Sequence, residues 1–277
     1  MGKQAGGKSA RQRQMWPIAT WGRAELPPIV FLHGFMGAGA DWREICELLA
    51  EEYYCVCPDL PGHGANIAGD LGAQLTIAQL AIDLAALCAE LGLHEPVVVG
   101  YSLGGRVALS TALQFPSLMR ALVLESASPG VEGTLQRESR SATDDARAAA
   151  LLAGGVPAFT KSWYSAPLFQ SLQRYPVLLA KLQAARSAND ARWLARVVRD
   201  LSPGRAASVW AELASIQMRT LLVAGALDVQ YTSTVQRMAV VMPSATSLIV
   251  PDAGHNVHLE EPIVFAQALR QFLASCG

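Results

Sequence analysis

Val97-Val-Val-Gly-Tyr-Ser-Leu-Gly-Gly105 is the stretch on which the reading of this chain turns. Three valines make a buried strand. Gly-x-Ser-x-Gly follows at once, and an apolar-periodic run from Val107 to Leu113 comes next. Strand, sharp turn and helix place Ser102 at the tip of an elbow with its hydroxyl projecting from the sheet edge. The turn is tight enough to need side chains of minimal size on either side, and Gly100 and Gly104 supply them. Behind Ser102 the first turn of the helix offers unpaired N–H groups to a developing negative charge. A glycine-rich turn carrying an incidental serine would look the same over five residues, so the decision rests on the remainder of the chain.

A serine so placed needs an acid and a base downstream, in that order. Thr220–Ala224 is a short apolar strand that runs into Gly225-Ala-Leu-Asp228. Ser247–Val250 is another, followed by Pro251-Asp-Ala-Gly-His-Asn256. Asp228 and His255 each stand just past a strand end, which predicts a Ser102–His255–Asp228 row. Taken singly, Asp228 reads equally as a helix N-cap and His255 as a surface loop residue. Upstream, Ile29–Leu32 leads into His33-Gly-Phe-Met-Gly37, a turn that can aim a backbone N–H at the same place. The two oxyanion donors are therefore assigned to the N–H groups of Phe35 and Leu103. Asp59-Leu-Pro-Gly-His-Gly64 reads as a structural turn, with no chemical part for His63.

Working further outward, strands near 29–32, 54–58, 97–100, 121–125, 220–224 and 246–250 alternate with helical patterns over 41–51, 75–91, 104–114, 232–241 and 261–275. This predicts an α/β protein with a parallel sheet covered on both faces. From 128 to 212 the alternation stops, and the stretch is helical throughout. It is expected to sit over the sheet as a cap, the core being 15–127 and 213–277. Residues 1–14 carry four basic residues and no acid, and read as a disordered basic tail.

About half of the 277 residues are apolar, enough to bury a full core. No apolar run approaches the ~20 residues of a membrane span, and residues 1–14 lack the hydrophobic region expected of a secretion signal. A cytoplasmic protein is expected, or an organellar one if the basic tail is a transit remnant. The five cysteines have neither zinc spacing nor a paired motif and read as free thiols. The histidines form no ligand set and no loop cradles a phosphate, so no metal and no cofactor are expected. The net charge is −1, yet residues 137–205 carry nine Arg and two Lys against five acids. A cationic cap over an acidic body suits a small anionic ligand, although solvated helix faces are often basic as well. The chain as a whole is not basic and has no basic-aromatic stripe, which argues against nucleic acid. A monomer or weak homo-oligomer is expected.

The elbow, the His-Gly loop and the Asp…His order resemble the α/β-hydrolase superfamily across essentially the whole chain. Six further features are similar to one branch of it: Val99-Gly-Tyr-Ser-Leu-Gly-Gly-Arg-Val-Ala108; Glu125 followed by Ser128-Pro-Gly130; Gln136-Arg137 with Arg140; Trp163-Tyr164; Arg186-Ser187 with Asn189; and Ala253-Gly-His-Asn-Val-His258. That branch is the 2-succinyl-6-hydroxy-2,4-cyclohexadiene-1-carboxylate synthase family of menaquinone and phylloquinone biosynthesis. The resemblance implies an α/β-hydrolase fold and an elimination of pyruvate, with a polycarboxylate as substrate. By resemblance, Arg106, Arg140 and Arg186 are the carboxylate clamps, Trp163 supplies an indole N–H and an apolar wall, and Tyr101 flanks the serine. Val229-Gln-Tyr231 departs from the pattern, which admits a basic residue there. The residues alone leave two other readings open: an ester or carbon–carbon bond hydrolase with the same triad, and a non-catalytic receptor on the same scaffold. They do not decide whether Ser102 attacks carbon or takes a proton.

Overall fold

A computed structural model describes residues 16–68 and 75–275; the basic tail read at 1–14 lies outside the described residues. Seven strands form one sheet in the order β1-β3-β2-β4-β5-β6-β7. They are β1 (Ile18–Trp21), β2 (Pro28–Leu32), β3 (Tyr54–Pro58), β4 (Val97–Tyr101), β5 (Ala121–Glu125), β6 (Arg219–Gly225) and β7 (Ala245–Val250). Neighbours from β3 through β7 pair in parallel, and β1 alone runs antiparallel, along β3. β1 was not foreseen from the sequence. Its four residues are mostly half-buried at an edge, so no apolar run marks them.

Alternation along the strands builds two separate cores. Val30, Val56, Val98, Leu122 and Leu222 face α2 (Ile77–Glu90), α3 (Leu103–Gln114) and α7 (Val229–Val241). Ile29, Cys55, Val97, Val123 and Leu221 face the other way, onto α1 (Arg43–Leu49) and α9 (Pro262–Ala274). Strands buried on both faces read as continuous apolar runs, which is why five of the six expected strands are so plain in the sequence. The exception, β7, is an edge strand in which only Val250 is fully buried. The helix expected over 41–51 begins as a 3-10 turn, Gly39–Trp42, before α1. The one expected over 261–275 is preceded by a short separate turn of helix, α8 (Val257–Glu260).

Between β5 and β6 come α4 (Thr134–Tyr164), a 3-10 stretch (Pro167–Arg174), α5 (Pro176–Ser187) and α6 (Ala191–Asp200). α4 is two helices joined at a kink, where Gly155 takes φ 75° and ψ 169° just ahead of Pro157. This cap has small apolar cores of its own. Leu151 and Phe159 of α4 pack with Leu194 and Val198 of α6 around Met36, which belongs to the loop after β2. Tyr164, Phe169, Leu172 and Leu182 form a second cluster. The cap is thereby seated on the loops at the carboxyl ends of the parallel strands, where open α/β sheets bind ligands.

Candidate active site

Ser102 sits between β4 and α3 with φ 50° and ψ −107°, a strained backbone for a residue with a side chain. Neighbouring backbone holds it there. Its N–H donates to the Glu125 carbonyl at 2.9 Å, and its own carbonyl accepts from Arg106 N–H at 3.1 Å. A Cβ on Gly104 would lie 2.3 Å from the Leu32 carbonyl oxygen, so the helix can approach β2 only with glycine there.

His255 Nε2 stands 3.3 Å from Ser102 Oγ. On the far side of the ring, Nδ1 stands 2.6 Å from Asp228 Oδ2. The other Asp228 oxygen accepts the Tyr231 N–H at 3.1 Å and caps α7. The two sequence readings of Asp228, N-cap and partner of His255, thus hold together. Asp228 and His255 are both buried. Three aromatic rings meet the imidazole edge-on, those of Tyr101, Phe169 and Tyr231, with Tyr231 nearest at 4.7 Å between centroids. Tyr231, the departure noted in the sequence, walls the imidazole where a basic side chain could have stood.

The loop after β2 closes against Ser102. A Cβ on Gly34 would fall 2.5 Å from the Tyr101 ring and 3.5 Å from Ser102 Cβ. His33 braces this loop from within: Nδ1 donates to the Gly34 carbonyl at 2.8 Å and Nε2 accepts the Leu60 N–H at 3.0 Å. That pattern fixes a neutral tautomer, and burial lowers the pKa of the ring from its ordinary value. Among the described residues neither Phe35 N–H nor Leu103 N–H enters a turn or loop hydrogen bond. Leu103 is the first residue of α3, and its N–H has no partner inside the helix.

Above the serine lies a cavity of about 330 Å³ bounded by Phe35, Tyr101, Ser102 and His255 below and by cap residues above. Tyr101 lends its ring as floor while its hydroxyl accepts from Asn256 Nδ2 at 2.8 Å; burial pushes that phenol up and keeps it neutral. Trp163 stands as a wall against Phe35, at 5.3 Å between ring centroids, and against Phe159. The cavity also carries four arginines: 106, 140, 147 and 186. Arg106 donates through one terminal nitrogen to the Leu201 carbonyl at 2.7 Å, while its other terminal nitrogen is buried without an acceptor. Burial lowers the Arg106 pKa, the direction expected of a cation short of a counter-ion. Arg140 is held by its Nε alone, 2.8 Å from Asp144 Oδ2.

Arg186 differs from the open clamp that the sequence led one to expect. Its two terminal nitrogens already grip Asp41 at 2.8 and 2.7 Å, a bidentate pair with both side chains largely buried. Its Nε is buried without an acceptor. The pair ties α5 to the loop after β2, as does Asn189, whose amide donates to the Met36 carbonyl at 3.0 Å. Sequence reading missed Asp41, Asp144 and Arg147. The signal for the last two was present, because Arg140, Asp144 and Arg147 fall at the i, i+4 and i+3 spacings that meet on one helix face. Among the described residues no group of three or more His, Cys, Asp or Glu is arranged to hold a metal ion.

The chain matches the alpha/beta hydrolase fold family over residues 27–262. A putative 2-succinyl-6-hydroxy-2,4-cyclohexadiene-1-carboxylate synthase of Bacillus subtilis (strain 168) is 33% identical over 261 residues, covering 94% of this chain and 95% of that protein. The chain belongs to this synthase family of α/β-hydrolase-fold enzymes. The chloroplastic protein PHYLLO of Arabidopsis thaliana is 34% identical over 265 residues, and the match spans 90% of this chain but only 15% of PHYLLO's length. Among solved structures, MenH from S. aureus superposes with a TM-score of 0.90 at 27% identity, covering 95% of this chain and 99% of that one. The enzyme therefore keeps its relatives' architecture over nearly its whole length.

Proposed function

We propose that this enzyme acts in menaquinone or phylloquinone biosynthesis and eliminates pyruvate from 2-succinyl-5-enolpyruvyl-6-hydroxy-3-cyclohexene-1-carboxylate. The observation that carries the reading is the meeting of two features in one cavity. A hydrogen-bonded Ser102–His255–Asp228 row forms its floor, and Arg106 and Arg140, each with unengaged donors, face the same space. An ordinary ester hydrolase has no need of buried, partly unpaired guanidinium groups. A substrate with three carboxylates does, because arginine binds a carboxylate through two parallel hydrogen bonds.

In this reading His255 takes the Ser102 proton while Asp228 holds the imidazole in the required tautomer. The serine oxygen then removes the ring proton next to the succinyl ketone. The enolate oxygen is received by the N–H groups of Phe35 and Leu103, donors worth roughly 2.7–4 kcal/mol each at such sites. The electron pair moves into the ring, shifts the alkene by one position and breaks the bond to the enolpyruvyl oxygen. The protonated His255 returns its proton to the departing enolpyruvate, which becomes pyruvate, and the serine keeps the ring proton as its hydroxyl hydrogen. Tyr101, Tyr231 and Phe169 shield the imidazole from water, and Trp163 offers its indole N–H and an apolar wall. Arg186 acts here mainly through Asp41, holding the Phe35 loop in place.

Pyruvate release from that substrate, coupled to lactate dehydrogenase and corrected for spontaneous breakdown, tests the proposal. Rapid release that disappears in Ser102→Ala supports it. No release above background from an enzyme that still reacts with a serine-directed phosphonate would keep the triad and remove the elimination.

A further inference from the structure

The cavity holds one cation that no sequence motif singled out. Arg147 lies two turns beyond Arg140 on α4, with about a third of its side chain exposed. Nη1 donates to Asp144 Oδ1 at 2.7 Å, and its guanidinium lies 5.1 Å from the centroid of the Trp163 ring. The opposite Asp144 oxygen holds Arg140 through Nε at 2.8 Å. Asp144 is itself 1% exposed. One buried carboxylate therefore orients two arginines at once, and each keeps terminal N–H groups for something else.

A carboxylate with two cations on it leaves a surplus of positive charge, and Arg106 adds to that surplus on the same cavity. Arg186 does not, because Asp41 cancels it in a bidentate pair. Three arginines with unengaged terminal N–H groups thus face the space above Ser102: 106, 140 and 147. The third is held both by Asp144 and by its cation–π contact with Trp163, which lowers the entropy lost when an anion docks.

We propose that Arg147 is a substrate-positioning residue that takes one carboxylate of a tricarboxylate ligand, with Asp144 setting its direction. The inference rests on the reading of the substrate as a polycarboxylate and adds to it a selection by charge number. Arg106 and Arg140 serve two carboxylates, and Arg147 distinguishes a ligand that carries a third.

Calorimetric binding separates this inference from the reaction itself. The probes are propane-1,2,3-tricarboxylate and its two-carboxylate counterpart glutarate, each titrated into the wild type, Arg147→Met and Arg147→Lys. Arg147→Met is expected to bind the tricarboxylate roughly ten-fold more weakly, the loss of one charge-assisted contact, and glutarate within about two-fold of wild type. Arg147→Lys keeps the charge but loses the planar fork, and a loss of about three-fold is expected for the tricarboxylate alone. Should the methionine variant fail to fold, the lysine variant carries the test by itself. Equal binding of the tricarboxylate by variant and wild type, equal losses for both acids, or a wild type that prefers neither acid would each overturn the role of Arg147. Pyruvate release by the wild type is scored separately. Discrimination without release would keep Arg147 and dismiss the elimination, and release without discrimination would do the reverse.

Discussion

At the scale of single residues, the site is built by steric exclusion as much as by attraction. Ser102 occupies a backbone conformation that ordinarily costs about 1–3 kcal/mol, and it does so because the positions around it admit no Cβ. Gly104→Ala would push a methyl carbon to within 2.3 Å of the Leu32 carbonyl oxygen. A loss of about 3 kcal/mol in unfolding free energy is expected, together with most of the activity; urea titration reads the first. Ser102→Ala should unfold like the wild type and lose at least ~10³-fold in turnover, with product affinity kept within several-fold. If turnover survived, the serine would have no chemical part. Ser102, Asp228 and His255 were legible because each follows its own apolar strand, a pattern that local sequence displays. Asp41 was not, and the spacing that joins Arg147 to Asp144 showed a shared helix face without showing what it faces, because a charged residue on a short turn or an amphipathic helix looks the same whether it meets solvent or a cavity. Only the cap's return over the sheet decides that.

At the scale of elements, the Arg186–Asp41 pair joins α5 to the 3-10 turn that follows the Phe35 loop. Asp41 also accepts the Ala38 N–H at 3.0 Å, so one carboxylate shapes the loop and holds the cap. The Arg186 guanidinium draws the Asp41 pKa down against the burial that raises it. Removing one partner of such a pair strands the other in a poorly solvated site. Arg186→Met is expected to cost about 3 kcal/mol. The double change Arg186→Met with Asp41→Leu should recover more than half of that, and a double mutant no more stable than the single one would contradict the strut. The break of α4 was passed over in a stretch read as helical throughout, although Gly154-Gly155 and Pro157 interrupt the pattern there. β1 was not, because four half-buried residues at a sheet edge carry neither an apolar run nor clean alternation.

At the scale of the whole molecule, stability should depend on pH through imidazoles buried beneath the cap. Burial pushes the His63 pKa down to about 3, with His33 beside it at 5.0 Å between ring centroids. The folded chain therefore refuses a proton that the unfolded chain binds near the ordinary value of about 6.5. Between those two values the unfolded state holds more protons, so stability rises with pH across the window and falls on acidification. From pH 8 to pH 5 this one group should remove on the order of 2 kcal/mol, read as the change in urea unfolding free energy with pH. His63→Gln should flatten that slope whatever it does to the absolute stability, and an unchanged slope would exclude His63 as the source. The antiparallel edge has a different consequence. Ile18 pairs with Pro58, so the chain enters β1 at the carboxyl end of the parallel strands, and β1 lies three strand spacings, roughly 15 Å, from β4. At the other terminus α9 runs back down the sheet, and the Ser275 carbonyl accepts from Arg219 at the foot of β6. For anyone tethering this enzyme to a surface or fusing it to a partner, the two ends are not equivalent: a graft behind Ser275 hangs from the face opposite the pocket mouth, whereas one ahead of Trp16 enters beside it.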